Sequence, residues 1–261
     1  MEQSPHIADM NPNFVPDEYK EQYDVIELPS QGILYPNKKS TVKVSYLTTI
    51  DENILSSPNI VDSGGLVDIL LERKVKDLGF DTNDLLDGDR MAILLFLRST
   101  GLGDKYTQPV LDPKTGKVVA GEIDLPSLKQ KKLTVQPDEN GEFDFELPQS
   151  KYRVKFRFLT GKDENEIEEQ DQSLMERNGD GISQKITLRL ERQIMEINGD
   201  RDKISLSNTI KKLSLKDSRS LRKYMTELEP GIDFNTTATI QGGVEVATFL
   251  RIGTNFLWPE L

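Results

Sequence analysis

Apolar and polar positions alternate most clearly from Thr41 onward, where Val42, Val44 and Tyr46 interleave with Lys43 and Ser45, the two-residue period of a strand with one wet face. Just upstream, Val25 to Leu28 is a short extended segment that Pro29 bars from continuing as helix, and residues 31–39 form a turn-rich loop around Gly32 and Pro36. Thr48 to Asp51 then supplies polar oxygens at the start of a short helix, Glu52 to Ser56. A second helix is predicted over Gly64 to Leu78, with Leu66, Ile69, Leu70 and Val75 on one face and Asp68, Glu72, Arg73 and Lys76 on the other. Asp84 or Asp87 caps a third, Arg90 to Thr100, whose MAILLFL run is apolar nearly all round and belongs in a core or an interface. Gly101 and Gly103 end it. Tyr106–Leu111 and Lys117–Leu125 flank DPKTG, a turn with Pro early and Gly late, and so read as a hairpin. Lys129–Val135 is a candidate further strand.

The same order returns downstream. LTTIDEN at Leu47–Asn53 reappears as LTGKDEN at Leu159–Asn165, and IELPS at Ile26–Ser30 as FELPQS at Phe145–Ser150. Val42, Val44 and Tyr46 correspond to Val154, Phe156 and Phe158, and Leu71-Glu72-Arg73 to Leu190-Glu191-Arg192. Arg90 to Asp104 has the same separation as Arg219 to Asp233. Helices are expected at Glu164–Arg177, Ser183–Asn198, Ser205–Leu213 and Ser218–Leu228, the second with a stripe of Ile186, Leu190, Ile194 and Ile197. A closing hairpin, Phe234–Ile240 with Val244–Ile252, turns at Gly242-Gly243. The pattern predicts an α+β protein of two related modules from an internal duplication, each a small antiparallel sheet or hairpin set with a helical group. The expected division is a flexible, Pro-containing arm (1–24), a first module (25–135), a linker (136–144) and a second module (145–261) with an aromatic tail.

Composition narrows the function. A chain of 261 residues with 36% apolar and 30% charged residues can bury real cores. The net charge of −11 disfavours a dedicated nucleic-acid binder, and the basic clusters at Lys129–Lys132 and Lys211–Lys223 read as solvated helix faces. No run of apolar residues approaches the roughly 18 needed to span a bilayer. With no cysteine there is no disulfide, thiol nucleophile or usual structural zinc site, and the single His6 sits in a polar leader where no triad can form. Counting from Asn198, the acidic INGDRD turn lacks the Gly and Glu that a helix-loop-helix calcium site requires, so no metal and no cofactor is assigned. Asp51 and Asp163 are expected to cap helices. Asp89 with Arg90, and Asp217 with Arg219, are expected to form structural ion pairs at the starts of buried helices. Phe14, Tyr19 and Tyr23 of the arm and Phe256, Leu257 and Trp258 of the tail are the candidate protein contacts.

In order along the chain stand ELPS with a GILYP loop, VKVSYLTTIDENIL, LLDGDR with an apolar helix ending TGLGD, FRFLTGKDEN, INGD, DSRSLRKY, EPGID and GTNFLWP. This series, from Ile26 to Pro259, resembles the baseplate hub proteins of T-even-type contractile-tailed bacteriophages. The resemblance implies a non-enzymatic role as hub subunit or hub assembly protein, bound to other hub and tail proteins and able to form homo-oligomers. It places the chain in the virion tail baseplate, and in the host cytoplasm during assembly, with no nucleic-acid or membrane partner. Relatives with this pattern carry Cys pairs in the hairpins after each GD or GID segment, as zinc knuckles would. Here the DPKTG and QGG turns stand in those places. Two other readings remain: a carboxylate-dependent glycan hydrolase of the tail, and a transient tail-assembly chaperone absent from the mature particle.

Overall fold

The computed structural model describes residues 21–57, 65–179, 181–252 and 254–257. Its chain order begins with β1 (Tyr23–Glu27) and β2 (Thr41–Ser45), which pair antiparallel, and the two-residue β3 (Val75–Lys76) adds to β2. Val42 and Val44 are fully buried, so the predicted alternation puts its apolar side on the core. α1 (Thr49–Leu55) and α2 (Leu66–Lys74) connect β2 to β3. After a single 3-10 turn come α3 (Asp87–Leu102), the hairpin β4 (Lys105–Leu111) and β5 (Val118–Asp124), and the short β6 (Lys129–Lys131).

The second half opens in the same order, then differs: it has a helix where the first half has a 3-10 turn, and its short strand precedes the hairpin instead of following it. β7 (Phe143–Glu146), β8 (Arg153–Phe156) and β9 (Ile194–Ile197) form a three-stranded antiparallel sheet with β8 in the centre, as β2 is in the first. α4 (Gly161–Asn178) and α5 (Lys185–Gln193) join β8 to β9. α6 (Lys203–Ile210), α7 (Leu215–Leu228), the short β10 (Gly231–Asp233), the hairpin β11 (Asn235–Ile240) and β12 (Val244–Phe249), and α8 (Thr254–Leu257) complete the described chain.

The halves interlock. Their hairpins merge into one four-stranded sheet ordered β12-β11-β5-β4, joined at Thr239 and Glu122, and β10 pairs with β6 across the halves. One apolar core draws Val42, Val44 and Leu97 from the first half and Val154, Phe156 and Leu221 from the second. A second core lies against the merged sheet and includes Leu70, Leu94, Ile123, Ala238 and Phe256. Each such fully buried aliphatic or aromatic side chain contributes about 1.5–3 kcal/mol. The expected linker does not separate two cores: Phe143, inside it, is buried in β7 and stacks near Phe156 and Phe158.

Several boundaries move. Tyr23 belongs to β1 rather than to the arm. The helices predicted to run on to Leu78 and Asn198 stop at Lys74 and Gln193, and the chain turns at once into β3 and β9. Ile194 and Ile197 therefore reach the core from a strand, and Ile186 is exposed, so the four-residue helical stripe does not exist. The residue capping α3 is Leu86, with Asp87 at the first helical position; Asp84 closes the 3-10 turn instead.

Candidate functional site

The acidic residues marked by the sequence repeat sit at the junctions between strands and helices. Thr160 caps α4: its hydroxyl accepts from the Asp163 N–H at 3.3 Å, and the Asp163 carboxylate accepts from the Thr160 N–H at 3.0 Å, a reciprocal capping box. At α1 the Asp51 carboxylate accepts from the Thr48 N–H and hydroxyl, both at 2.8 Å. Capping is only part of their role. Asp51 is fully buried and meets the equally buried Lys74 ammonium at 2.5 Å and Arg73 Nε at 2.9 Å, tying α1 to the end of α2. Burial pushes the Asp51 carboxyl up, but donors on Lys74, Thr48 and Arg73 outweigh it and hold it down at about 2. Asp163 accepts a bidentate pair from Arg157 at 2.6 and 2.8 Å, which anchors α4 to the chain leaving β8. Its carboxyl is likewise lowered: burial pushes it up, but the Arg157 guanidinium and the Thr160 donors together outweigh that push.

Asp89 and Asp217 hold equivalent places, each the third residue of its helix, in α3 and α7. Asp89 accepts from the Ser30 N–H (2.9 Å), the Ser30 hydroxyl (2.5 Å) and the Tyr35 hydroxyl (2.5 Å), fastening the GILYP loop to the first turn of α3. Asp217 accepts from the Gln149 and Ser150 N–H groups at 2.7 and 3.0 Å, fastening the second ELP loop to α7. Their environments differ: burial raises the Asp89 carboxyl despite its hydroxyl donors, whereas the two N–H donors lower Asp217 against the same push. The expected ion pairs do not form. Arg90 pairs with Asp68 of α2, and Arg219 is exposed with no ion pair among the described residues. Neighbouring residues on a helix point about 100° apart, so adjacency in sequence does not bring such side chains together.

The halves meet along a seam. Asp87 N–H donates to the Leu159 carbonyl at 3.3 Å and Gly161 N–H to the Leu85 carbonyl at 3.0 Å. Gly88 lies against β10, where an added Cβ would stand 1.8 Å from the Pro230 carbonyl oxygen; Gly161 lies under the Arg90 guanidinium. Around this seam gather the carboxyls of Asp87, Glu164 and Glu229. Arg189 clasps Glu164 at 2.6 and 2.8 Å. Burial, with repulsion from Asp87, pushes Glu229 up to about 7; burial also raises Asp87, and burial with the neighbouring acids Asp87 and Asp163 raises Glu164. Sequence reading missed Asp87 and Glu229 as a pair because 142 positions separate them, and only the packing of α3 on β10 brings them together.

No family model, no curated protein and no solved structure matches this chain. Among the described residues no group of three or more His, Cys, Asp or Glu is arranged to hold a metal ion.

The candidate contact residues fall in three places. Phe14, Tyr19 and Trp258 lie outside the described residues. Tyr23 is exposed on β1, with the Lys43 ammonium 4.9 Å above its ring. Phe256 and Leu257, expected to serve as contacts for partners, are buried in the second core, where Phe256 meets Tyr106 edge-on at 5.1 Å. An apolar pair near a chain end reads the same in sequence whether it covers its own core or a neighbour's.

The raised acids predict a pH dependence. A carboxyl whose folded-state value lies above its unfolded one keeps a proton that the unfolded chain has already lost, so stability falls as pH rises through that interval. For Glu229 the interval runs from the ordinary 4.5 to about 7. Glu229→Gln is expected to match the wild type near pH 4.5 and to exceed it by about 1–3 kcal/mol at pH 8, measured by urea denaturation at both pH values. A constant difference between the variants across that range would show that Glu229 is not held protonated.

Proposed function

We propose that this chain is a structural or assembly protein of the baseplate hub of a contractile phage tail, acting through protein–protein contacts and without catalysis of its own. One observation supports this reading above the others: the segments that resemble the hub family are those that fasten the fold. ELPS and LLDGDR meet through Ser30 and Asp89, FELPQS and DSRS through Ser150 and Asp217, and each DEN segment carries the aspartate that locks its strand-to-helix turn. A resemblance made of such residues concerns architecture rather than isolated short matches. The equivalent places of Asp51 and Asp163, and of Asp89 and Asp217, support an internal duplication as the origin of the two halves. The partners are then other hub and tail proteins and further copies of the chain, in the tail baseplate and, during assembly, in the host cytoplasm. Mass spectrometry of purified tails alongside assembly intermediates tests this: the chain is expected in both, at a fixed ratio to hub proteins. Presence in intermediates only would make it a transient chaperone, and absence from both would overturn the reading.

The acidic seam favours a second reading, a carboxylate-dependent glycan hydrolase. A glutamate protonated near neutral pH is what a general acid requires. The two cavities bordering Glu229 hold about 200 and 210 Å³, below the roughly 300 Å³ where ligand pockets usually begin. Turbidity clearance of purified peptidoglycan by wild type but not by Glu229→Gln would establish this activity. No clearance by the wild type would remove it.

A further inference from the structure

Matching the halves helix by helix shows where their surfaces part. α2 and α5 are both nine residues long and both run straight into a strand, so Leu70 and Leu71 correspond to Arg189 and Leu190. Asp89 and Asp217, each the third residue of its helix, set Leu94 and Leu97 in register with Arg222 and Met225. Both registers hold in the packing, because Leu71, Leu190, Leu97 and Met225 all lie in the first core. The other two positions diverge. Leu70 and Leu94 are buried in the second core against the merged sheet, whereas their counterparts are arginines that border a cavity of about 210 Å³ between α5 and α7.

The two arginines differ in their surroundings. Both terminal nitrogens of Arg189 are taken by Glu164, at 2.6 and 2.8 Å. Arg222 has no ion pair among the described residues, and its Nε is buried with no hydrogen-bond partner. A guanidinium cannot shed its proton to escape such a place, and an unpaired buried donor costs stability. Neighbouring turns of α7 add to the field: Arg219 is likewise unpaired, and Lys223 has only the exposed Glu227, at 3.7 Å. In a chain of net charge −11 this is a local excess of positive charge. Gln193 of α5 and Thr226 of α7 bring an amide and a hydroxyl to the same cavity, so donors reach it from both helices. The one acid lining it among the described residues, Glu229, is pushed up to about 7 by burial and by Asp87, so in mildly acidic solution it carries little charge to repel an anion.

We infer that the cavity between α5 and α7 is a binding site for a small tetrahedral oxyanion, a phosphate or sulfate group, held chiefly by Arg222. Its volume lies below the roughly 300 Å³ where pockets for larger ligands begin, and so suits a group of a few heavy atoms. The guanidinium fork offers paired donors to two oxygens, and donors from the second helix suit the out-of-plane oxygens that a planar carboxylate lacks. The inference rests on neither functional reading given above.

Isothermal titration of the full chain with sodium sulfate, at pH 6 and constant ionic strength, tests it. One ion is expected to bind per chain. Arg222→Leu copies Leu94 of the first half and is expected to weaken binding by roughly tenfold or more, the loss of a charge-assisted contact. Lys212→Leu removes the same charge outside the cavity and is expected to change the affinity by less than about twofold. Arg222→Lys keeps the charge without the fork and is expected to fall between the two. Absence of one-site binding to the wild type, or equal losses in Arg222→Leu and Lys212→Leu, would overturn the inference. Acetate bound as tightly as sulfate would overturn the tetrahedral ligand in favour of a carboxylate.

Discussion

Asp51→Ala is expected to destabilise the protein by about 3–5 kcal/mol, measured by chemical denaturation at neutral pH, because it strands the Lys74 ammonium in the core. Lys74 is 1% exposed and Asp51 is its ion-pair partner at 2.5 Å. The cost comes chiefly from the unpaired charge rather than from the lost contact, and this makes a second outcome predictable. Adding Lys74→Met removes the stranded charge while keeping a long apolar chain, so the double variant is expected to recover most of the loss. If the double variant is no more stable than Asp51→Ala, the loss arises at the α1 cap and not at Lys74. The equivalent Asp163→Ala should cost less, since Arg157 is one-third exposed and can turn to water. Acid acts on the same groups in the opposite sense to the seam. The lowered carboxyls of Asp51 and Asp163 contribute stability that is present above their ordinary value of 3.8 and lost as pH falls, toward about 2 for Asp51.

Gly88→Ala is expected to cost about 3 kcal/mol or more and to lower the yield of folded protein. A Cβ there would lie 1.8 Å from the Pro230 carbonyl oxygen and 2.8 Å from its carbon, and neither atom is the end of a flexible side chain. The conflict is backbone against backbone, so α3 and β10 would have to part, opening the seam and weakening the pairing of β10 with β6. Gly88 has a helical backbone, so alanine there would otherwise be mildly favourable. A thermal melt unchanged from wild type would mean that the two halves do not pack as closely as the seam requires. The glycine that caps the C-terminus of the same helix, Gly103, has open space around it, but its φ of +93° is strained for any L residue.

How far these features could be read from sequence depended on whether their cause is local. The alternation of Val42, Val44 and Tyr46, the DPKTG hairpin and the apolar run of α3 all declare themselves within a few residues, and each element lies where it was expected. Ile194 to Ile197 misled because Ile186, Leu190 and Ile194 have helical spacing, and the strand exists only because β8 offers an edge about forty residues earlier. Val75 was drawn into a helix for the same reason. The aspartates of the two DEN segments were legible as caps, but Lys74 and Arg157 as their counter-charges were not. Asp89 and Arg90 stood side by side and suggested a pair, yet their partners lie 59 and 22 positions away. The acidic seam has no local signature at all.

The sheet that joins both hairpins also constrains how the protein can be born. β4 and β5 can close on each other soon after they are synthesised, since a hairpin needs only local contacts. β5 cannot find β11, nor β6 find β10, until about a hundred further residues have been made. Until then the faces of Val110 and Ile123 that Ala238, Ile240 and Phe256 will cover stay open to water. Such late, distant pairings slow folding and lengthen the interval in which a nascent chain can stick to others. The first half is thus committed to waiting for the second, and a chain halted near residue 140 is expected to be recovered as aggregate rather than as a folded fragment.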